Sequence, residues 1–195
     1  MTDFDKDYWD AHYAEISGSH QGGSPHLAAA VHGRSPGTAL DAGCGPGSDA
    51  LWLAAQGWRV TAVDVAAGAV EKAKAQPGAD AVTWVVADVA TWEPTEAFDV
   101  VTSHYVHLPG DFSDLVRRLS EAVLPGGLLL VVGHDPHHDG GHAHGSHLDL
   151  DSAVAVLAPS EWEVLAQDRR PRTMTRPDGT SFEIRDVVLL ATRAA

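Results

Sequence analysis

The stretch that most constrains the fold is 38–47, TALDAGCGPG, in which a short apolar run leads directly into three alternating glycines. Its first half predicts a buried strand, and Ser48 is placed to cap the helix that follows. A strand, a glycine-rich loop and a helix form the βα unit of a doubly wound sheet. Glycine permits positive φ and close approach of a ligand, and the start of a helix presents free N–H groups. The segment therefore predicts either a ligand-binding turn or a tight turn that binds nothing.

An acid at the end of the next predicted strand favours the ligand-binding turn. That strand is 58–63, WRVTAV, and it leads into Asp64, about 20 residues after Gly43. A carboxylate at this place can accept hydrogen bonds from the ribose hydroxyls of an adenosine-containing cofactor. Asp41, two residues before Gly43, would repel a dinucleotide pyrophosphate and would favour a cationic group. S-adenosylmethionine carries a sulfonium and an ammonium and no phosphate, so the two acids together favour it as the cofactor.

Two passages of the chain resemble the class I S-adenosylmethionine-dependent methyltransferases. Asp41, Gly43, Gly45 and Gly47 have the form acid-x-Gly-x-Gly-x-Gly of that family's first motif, and 124–132, LPGGLLLVV, resembles its passage into the fifth strand. The resemblance implies that a methyl group moves from S-adenosylmethionine to an acceptor by direct displacement, which leaves S-adenosylhomocysteine. The YWDAHYA helix near the N-terminus is most similar to tellurite-resistance-type and other small-molecule methyltransferases.

The resemblance also implies a set of cofactor-binding positions after the first four strands. An acid at the position of Asp88 accepts a hydrogen bond from the adenine amino group in this family, and the next backbone N–H reaches a ring nitrogen; a simple turn cap is the alternative. Ala66 stands where many relatives have a serine that caps a helix, so Asp64 or water is expected to cap there. The full set comprises Asp41, Gly43, Gly45, Gly47, Asp64, Val65, Asp88, Val89 and Ser103.

The segment after the fourth predicted strand is the expected meeting point of acceptor and cofactor, because ligands of such sheets bind outside the carboxyl ends of the strands. Alignment can supply most of the catalysis, and a base is needed only when the acceptor carries a proton. Imidazole titrates near neutral pH, so the candidate bases are His104, His107 and His134. Packing against neighbours is the alternative for His104 and His107. The run Ser103-His104-Tyr105 also departs from the acid-or-amide-Pro-Pro-aromatic run of methylases that act on amide or adenine nitrogens.

Length and composition indicate one domain. With 195 residues, of which 44% are hydrophobic, the chain predicts a single domain over 1–195, with a helical cap at 1–35 and the seven-stranded core at 36–195. The net charge of −14 disfavours nucleic acid and favours a small-molecule acceptor. No run of about 20 apolar residues would span a membrane, and a single cysteine, Cys44, is typical of a reducing cytoplasm. We therefore predict a cytoplasmic monomer or homodimer that does not bind membranes.

The order of predicted elements defines an α/β fold. We predict a doubly wound, mostly parallel, seven-stranded Rossmann-like sheet with an antiparallel last strand, enclosed in a three-layer αβα sandwich. The sixth and seventh strands are placed at 162–167 and 184–192, joined through a turn at 177–179. An aromatic helix is predicted at 5–16, and the resemblance implies that Trp9 and Tyr13 close over the methionine end of the cofactor; packing in the core is the alternative.

A histidine-rich run at 134–147 adds a second possible function. It holds six histidines among glycines, so it predicts a loop beside the active site rather than regular structure. A solvated loop without a metal site is the prediction, and a native zinc, nickel or copper site is the alternative. The sequence thus favours a methyltransferase that acts on a small molecule. A non-catalytic S-adenosylmethionine- or metal-binding protein and a nicotinamide-dependent oxidoreductase are the competing interpretations.

Overall fold

The computed structural model describes residues 6–15, 22–108, 111–135, 148–175 and 179–195, which build a seven-stranded sheet flanked by helices. The strands are β1 (Thr38–Ala42), β2 (Arg59–Asp64), β3 (Val82–Val86), β4 (Phe98–His104), β5 (Val123–His134), β6 (Trp162–Thr175) and β7 (Ser181–Arg193). The helices are α1 (Lys6–Glu15), α2 (Pro25–Ala30), α3 (Ser48–Ala55), α4 (Ala67–Lys74), α5 (Phe112–Glu121) and α6 (Leu150–Ala155), with a 3-10 turn at Ala79–Ala81.

The strand order places a crevice at the end of β1. The order is β3-β2-β1-β4-β5-β7-β6, and β1 pairs in parallel with both β2 and β4. The chain therefore changes direction across the sheet at β1, and ligands of doubly wound sheets bind at such a switch point. Among the described strands, the antiparallel pairings are those that β7 makes with β5 and β6. The predicted mostly parallel sheet with a reversed last strand is confirmed.

Apolar side chains fill both faces of the sheet, as a three-layer sandwich requires. The side chains of β5 alternate between two buried clusters, because successive residues of a strand point to opposite faces. Leu129 and Val131 pack with residues of α5 and α6, whereas Leu128 and Leu130 pack with residues of α2 and α3. This explains why the strand has a continuous apolar sequence rather than an alternating one.

The last two strands are longer than the sequence predicts. They pair from Trp162 opposite Arg193 to Thr175 opposite Ser181, so the hairpin includes the basic stretch that interrupts the strand pattern. Pro171 is tolerated in β6 because this strand lies at the edge of the sheet, where one row of N–H groups needs no partner strand. Pro177 and Asp178 of the predicted turn lie outside the described residues.

The start of α3 differs from the prediction that Ser48 caps it. Gly47 occupies the N-cap position with a φ of 86°, Ser48 is already the first helical residue, and no side-chain hydrogen bond caps this described helix. Because Gly47 has a positive φ, the backbone enters the helix at Ser48, one residue before the predicted start. The LPGG segment, 124–127, lies inside β5 between Val123 and Leu128, which pair with β4 on either side of a register shift.

None of the helices in the described ranges is long and apolar enough to cross a membrane. Within those ranges, no three His, Cys, Asp or Glu side chains are arranged to hold a metal ion. His134 ends β5 and is described, but the remainder of the histidine-rich run, 136–147, lies outside the described residues. The prediction about metal binding by this run therefore stays a prediction.

Candidate cofactor and acceptor site

The glycine loop after β1 is closely packed against two other parts of the chain. Gly43 and Gly45 have positive φ values of 79° and 51°. A Cβ atom on Gly43 would collide with the side chain of Val106, and one on Gly45 would lie 2.9 Å from the hydroxyl oxygen of Tyr13. The loop is also tied to β2, because the N–H of Gly43 donates to the carbonyl of Val63 at 2.8 Å. Glycine is therefore required at both positions for conformation and for space.

Asp64 connects the glycine loop to the start of α4. One carboxylate oxygen accepts from the N–H of Gly45 at 2.8 Å, and the other accepts from the N–H of Ala66 at 2.9 Å. Asp64 thus holds Ala66, the N-cap residue of α4, but no side-chain hydrogen bond caps the described start of this helix, so the predicted cap by Asp64 is not formed. Burial raises the pKa of Asp64, and these backbone N–H groups offset part of the rise. The carboxylate is thus oriented at the carboxyl end of β2, where the sequence predicts ribose contacts.

Asp41 is a buried acid whose hydrogen bonds are incomplete. It is 2% exposed, and its Oδ2 has no hydrogen-bond partner among the described residues. Burial raises the pKa of Asp41 well above its ordinary value, and the neighbouring charges of Asp49 and Asp64 raise it further. An unsatisfied buried acceptor costs about 1–3 kcal/mol, which a cation or a donor would recover. The residues present therefore fit a cofactor that carries positive charge and no phosphate.

Asp88 lies where the sequence predicts it, at the end of β3, but it also caps a turn. Its side chain accepts from the N–H of Ala90 at 2.9 Å, and its carbonyl accepts from the N–H of Trp92 at 2.7 Å. The turn cap that the sequence left open is therefore present. The carboxylate is exposed, and Val89 beside it packs in the apolar core.

The remaining predicted cofactor positions flank the same crevice. Val65 is half-buried and directly follows Asp64. Ser103 is 1% exposed, and its hydroxyl has no hydrogen-bond partner in the part of the chain that the structure describes. Like Asp41, Ser103 thus presents a buried polar atom that a ligand could satisfy.

His104, the first candidate base, is held by an acid. Its Nδ1 lies 2.9 Å from Oδ2 of Asp49 and 3.3 Å from the hydroxyl oxygen of Thr102. The other carboxylate oxygen of Asp49 accepts from the N–H of Ser24 at 2.6 Å. Burial alone would raise the pKa of Asp49, but the hydrogen bond from His104, and the charge of its ring when protonated, lower it below its ordinary value. The two residues form a carboxylate–histidine pair at the end of β4.

Tyr105 has an unusual backbone conformation in the same place. It is the one non-glycine residue in the described ranges with a positive φ, of 54°. Such a conformation costs about 1–3 kcal/mol and commonly marks functional sites. Its ring stacks on that of His134 with centroids 4.5 Å apart, and the guanidinium of Arg172 lies 5.2 Å from the ring centre. Burial raises the pKa of Tyr105, as does the negative charge of Asp186.

The other two candidate bases lie beside Tyr105. The rings of His107 and His134 stack at 6.0 Å, and the ring of Trp9 stacks on His107 at 5.9 Å. The structure therefore brings all three predicted histidines to the carboxyl ends of β4 and β5. Trp9 and Tyr13 are half-buried and contact this segment and the glycine loop, so α1 lies over the crevice rather than in the central core.

Sequence reasoning missed Asp49 and a second buried ion-pair cluster. His26 Nε2 lies 3.0 Å from Oδ2 of Asp186, and Arg172 donates to the same oxygen at 2.7 Å. Asp186 is fully buried and 160 residues from His26 in sequence, so no local pattern indicates the pair. Asp49 had a usable signal, because it is an acid in the first turn of the helix after a glycine loop.

Comparison with protein families relates the glycine loop and the strands around it to a known kind of domain. Residues 39–127 match the family model described as a methyltransferase domain. This match and the fold of solved methyltransferases support the predicted family, the class I S-adenosylmethionine-dependent methyltransferases. The predicted family and its cofactor, S-adenosylmethionine, are confirmed. The match to a methyltransferase domain also argues against the nicotinamide-dependent interpretation.

Curated proteins that are similar to this chain include methyltransferases named for small acceptors. Trans-aconitate 2-methyltransferase of Paracidovorax citrulli is 34% identical over 109 residues, which cover 53% of this chain and 41% of that protein. Thiocyanate methyltransferase 1 of Brassica oleracea is 27% identical over 151 residues, which cover 73% of this chain and 66% of that protein. The chain spans about half the length of the first curated relatives that it matches.

Solved structures share the fold of this chain over almost its whole length. The N-methyltransferase NodS from Bradyrhizobium japonicum WM9, in complex with S-adenosyl-L-homocysteine, superposes with a TM-score of 0.72 at 17% identity, covering 97% of both chains. A protein studied for the conversion of a disulfide bond into a thioacetal group in echinomycin biosynthesis gives a TM-score of 0.73 at 24% identity, covering 97% of this chain and 93% of its own. These likenesses concern the fold.

Proposed function

We propose that this chain transfers a methyl group from S-adenosylmethionine to a small-molecule acceptor by direct displacement. The observation that carries the cofactor half of the proposal is Asp41, a buried acid with an unsatisfied oxygen beside the glycine loop and two further acids. When bound, the cofactor supplies an electrophilic methyl group on a sulfonium. The names of the relatives, which concern trans-aconitate and thiocyanate, favour a small acceptor over a macromolecule.

Each predicted cofactor residue has a role in this proposal. Asp41 balances positive charge, Asp64 and Val65 bind the ribose side, and Asp88 and Val89 bind the adenine. Ser103 donates or accepts a hydrogen bond at the end of β4. The set is completed by the glycines of the loop, Gly43, Gly45 and Gly47, which let the backbone approach the ligand.

The acceptor half of the proposal rests on the histidines that follow β4 and β5. His104 takes the proton of an acceptor that needs deprotonation, and His107 and His134 are the second and third candidates. Tyr105 orients the acceptor, since its ring is held by stacking on His134 and by contact with the guanidinium of Arg172. A single domain over 1–195, a monomeric or homodimeric state and a cytoplasmic location remain predictions from composition.

Titration calorimetry with three ligands tests the cofactor proposal. We expect S-adenosylmethionine and S-adenosylhomocysteine to bind and NAD to give no heat, because the buried acids disfavour a pyrophosphate. Binding of NAD alone would overturn the proposal. A screen with trans-aconitate, thiocyanate and small thiols, followed by release of S-adenosylhomocysteine, then tests transfer. Binding without turnover on any acceptor would favour the non-catalytic interpretation.

Asp64→Ala tests the ribose assignment. We expect the affinity for S-adenosylhomocysteine to fall by about 1.5–3 kcal/mol, the range for hydrogen bonds to a charged group. Calorimetry measures the change, and Asp80→Ala, at an exposed acid of the 3-10 turn, serves as the control with wild-type affinity. Asp64→Asn removes the charge and keeps only one of the two contacts to Gly45 and Ala66, because its amide nitrogen cannot accept a hydrogen bond. An unchanged affinity in Asp64→Ala would remove Asp64 from the cofactor site.

A further inference from the structure

His104 is fixed through one ring nitrogen, while the other lacks a partner. Nδ1 lies 2.9 Å from Oδ2 of Asp49, and the side chain is 7% exposed. Nε2 is buried and has no hydrogen-bond partner within the described ranges. A buried imidazole nitrogen normally finds a partner, so this atom is available to a ligand of the crevice at the end of β4.

Asp49 is itself held in a defined orientation. Its Oδ1 accepts from the backbone N–H of Ser24 at 2.6 Å, while its Oδ2 is the atom that contacts His104. The two oxygens therefore have different partners, and rotation of the carboxylate would break both contacts. The hydrogen bond that Asp49 accepts from His104 lowers the pKa of the carboxyl group, and each oxygen of the ionised group can only accept hydrogen bonds.

We propose that Asp49 is a positioning residue that keeps the proton of neutral His104 on Nδ1. An imidazole whose Nδ1–H donates to a carboxylate carries its lone pair on Nε2, which is then the atom that can accept a proton from the acceptor. This inference rests on the proposed function, because it assigns Nε2 to the acceptor. The inference gives a role to Asp49, which lies in α3 directly after the glycine loop. This residue orients His104, the proposed base, which lies at the end of β4.

If His104 bound a carboxylate instead of acting as a base, Nε2 would be expected to carry a proton. If the ring bound the methionine carboxylate of the cofactor, Nε2 would have to donate, and cofactor binding would protonate it. The state of Nε2 in the presence of S-adenosylhomocysteine therefore distinguishes a base from a carboxylate-binding residue.

The variant Asp49→Asn should reverse the tautomer. An asparagine that keeps the bond from the Ser24 N–H must place its Oδ1 there, which turns its NH₂ group toward Nδ1 of His104. Nδ1 then accepts, and the ring proton moves to Nε2. Once an acceptor is known, we expect the transfer rate to fall by about 10²–10⁴-fold, the contribution of a general base.

The measurement is nitrogen NMR of protein labelled at histidine, with and without S-adenosylhomocysteine, at a pH where free imidazole is neutral. The His104 signals are assigned by their loss in His104→Gln. We expect an unprotonated Nε2 in the wild type in both states and a protonated Nε2 in Asp49→Asn. Thr102→Val, which removes the other contact to Nδ1, is the matched control and should keep the wild-type tautomer.

Three results would overturn the inference. They are a protonated Nε2 in the free wild type, protonation of Nε2 when S-adenosylhomocysteine binds, and an unchanged tautomer in Asp49→Asn. Calorimetry on the same samples distinguishes failure of this inference from failure of the proposed function. Failure of the wild type to bind S-adenosylhomocysteine would contradict the proposed function, whatever the tautomer.

Discussion

Gly43→Ala is expected to destabilise the protein by about 2–5 kcal/mol and to lower its affinity for S-adenosylhomocysteine by more than about tenfold. A left-handed conformation costs a residue with a Cβ about 1–2 kcal/mol, and overpacking costs about 1–3 kcal/mol more. The first cost follows from the φ of 79° at Gly43, and the second from the contact between the new Cβ and Val106. Urea unfolding measures the stability, and calorimetry measures the affinity.

Gly33→Ala is the matched control for this experiment. Gly33 has a φ of 77°, nearly that of Gly43, but a Cβ there would meet no heavy atom within 4 Å. The control should therefore lose only the conformational part, about 1–2 kcal/mol, and keep its affinity for the cofactor product. Equal losses in the two variants would mean that Val106 makes room for the new Cβ at no cost, so that space does not require glycine at position 43.

His104→Ala is expected to lower the methylation rate by about 10²-fold or more while leaving the affinity for S-adenosylhomocysteine within about tenfold. The reason is that the ring contacts Asp49 and Thr102 through Nδ1, so its removal takes away the proposed base without touching the glycine loop. Steady-state kinetics with an acceptor from the screen measures the rate.

The control for the rate experiment is His32→Ala, which changes an exposed histidine in the turn after α2 and should retain full activity. Full turnover in His104→Ala would move the base to His107 or His134. It would otherwise mean that the acceptor arrives already deprotonated, so that the enzyme works by alignment alone.

The cofactor-binding part of the fold could be predicted from the sequence because the residues that indicate it lie close together in the chain. Within 38–47 the strand, the three glycines and the acid lie next to each other, and Asp64 follows at the spacing of one βα unit. The parallel strands were predictable for a similar reason, since strands buried on both faces have continuous apolar sequences. The error at Ser48 concerns a single residue, where the positive φ of Gly47 started the helix early.

The proposed acceptor site was harder to predict because its contacts join residues that are far apart in the sequence. The positions of His104, His107 and His134 followed from the rule that ligands bind at strand ends. Their partners did not, because Asp49 and Asp186 contact histidines through pairings that depend on the assembled sheet. The length of β6 was also underestimated, since its pairing with β7 overrides the poor strand propensity of RRPR.

The buried acids near the glycine loop have a consequence for turnover. Asp41, Asp49 and Asp64 lie close enough for the charges of the latter two to raise the pKa of Asp41. Transfer of the methyl group converts a sulfonium into a neutral thioether, so the attraction between these acids and the bound molecule weakens when the reaction is complete. A pocket of this kind favours the charged methyl donor over its spent form. The same acids that select the cofactor would therefore promote product release and limit product inhibition.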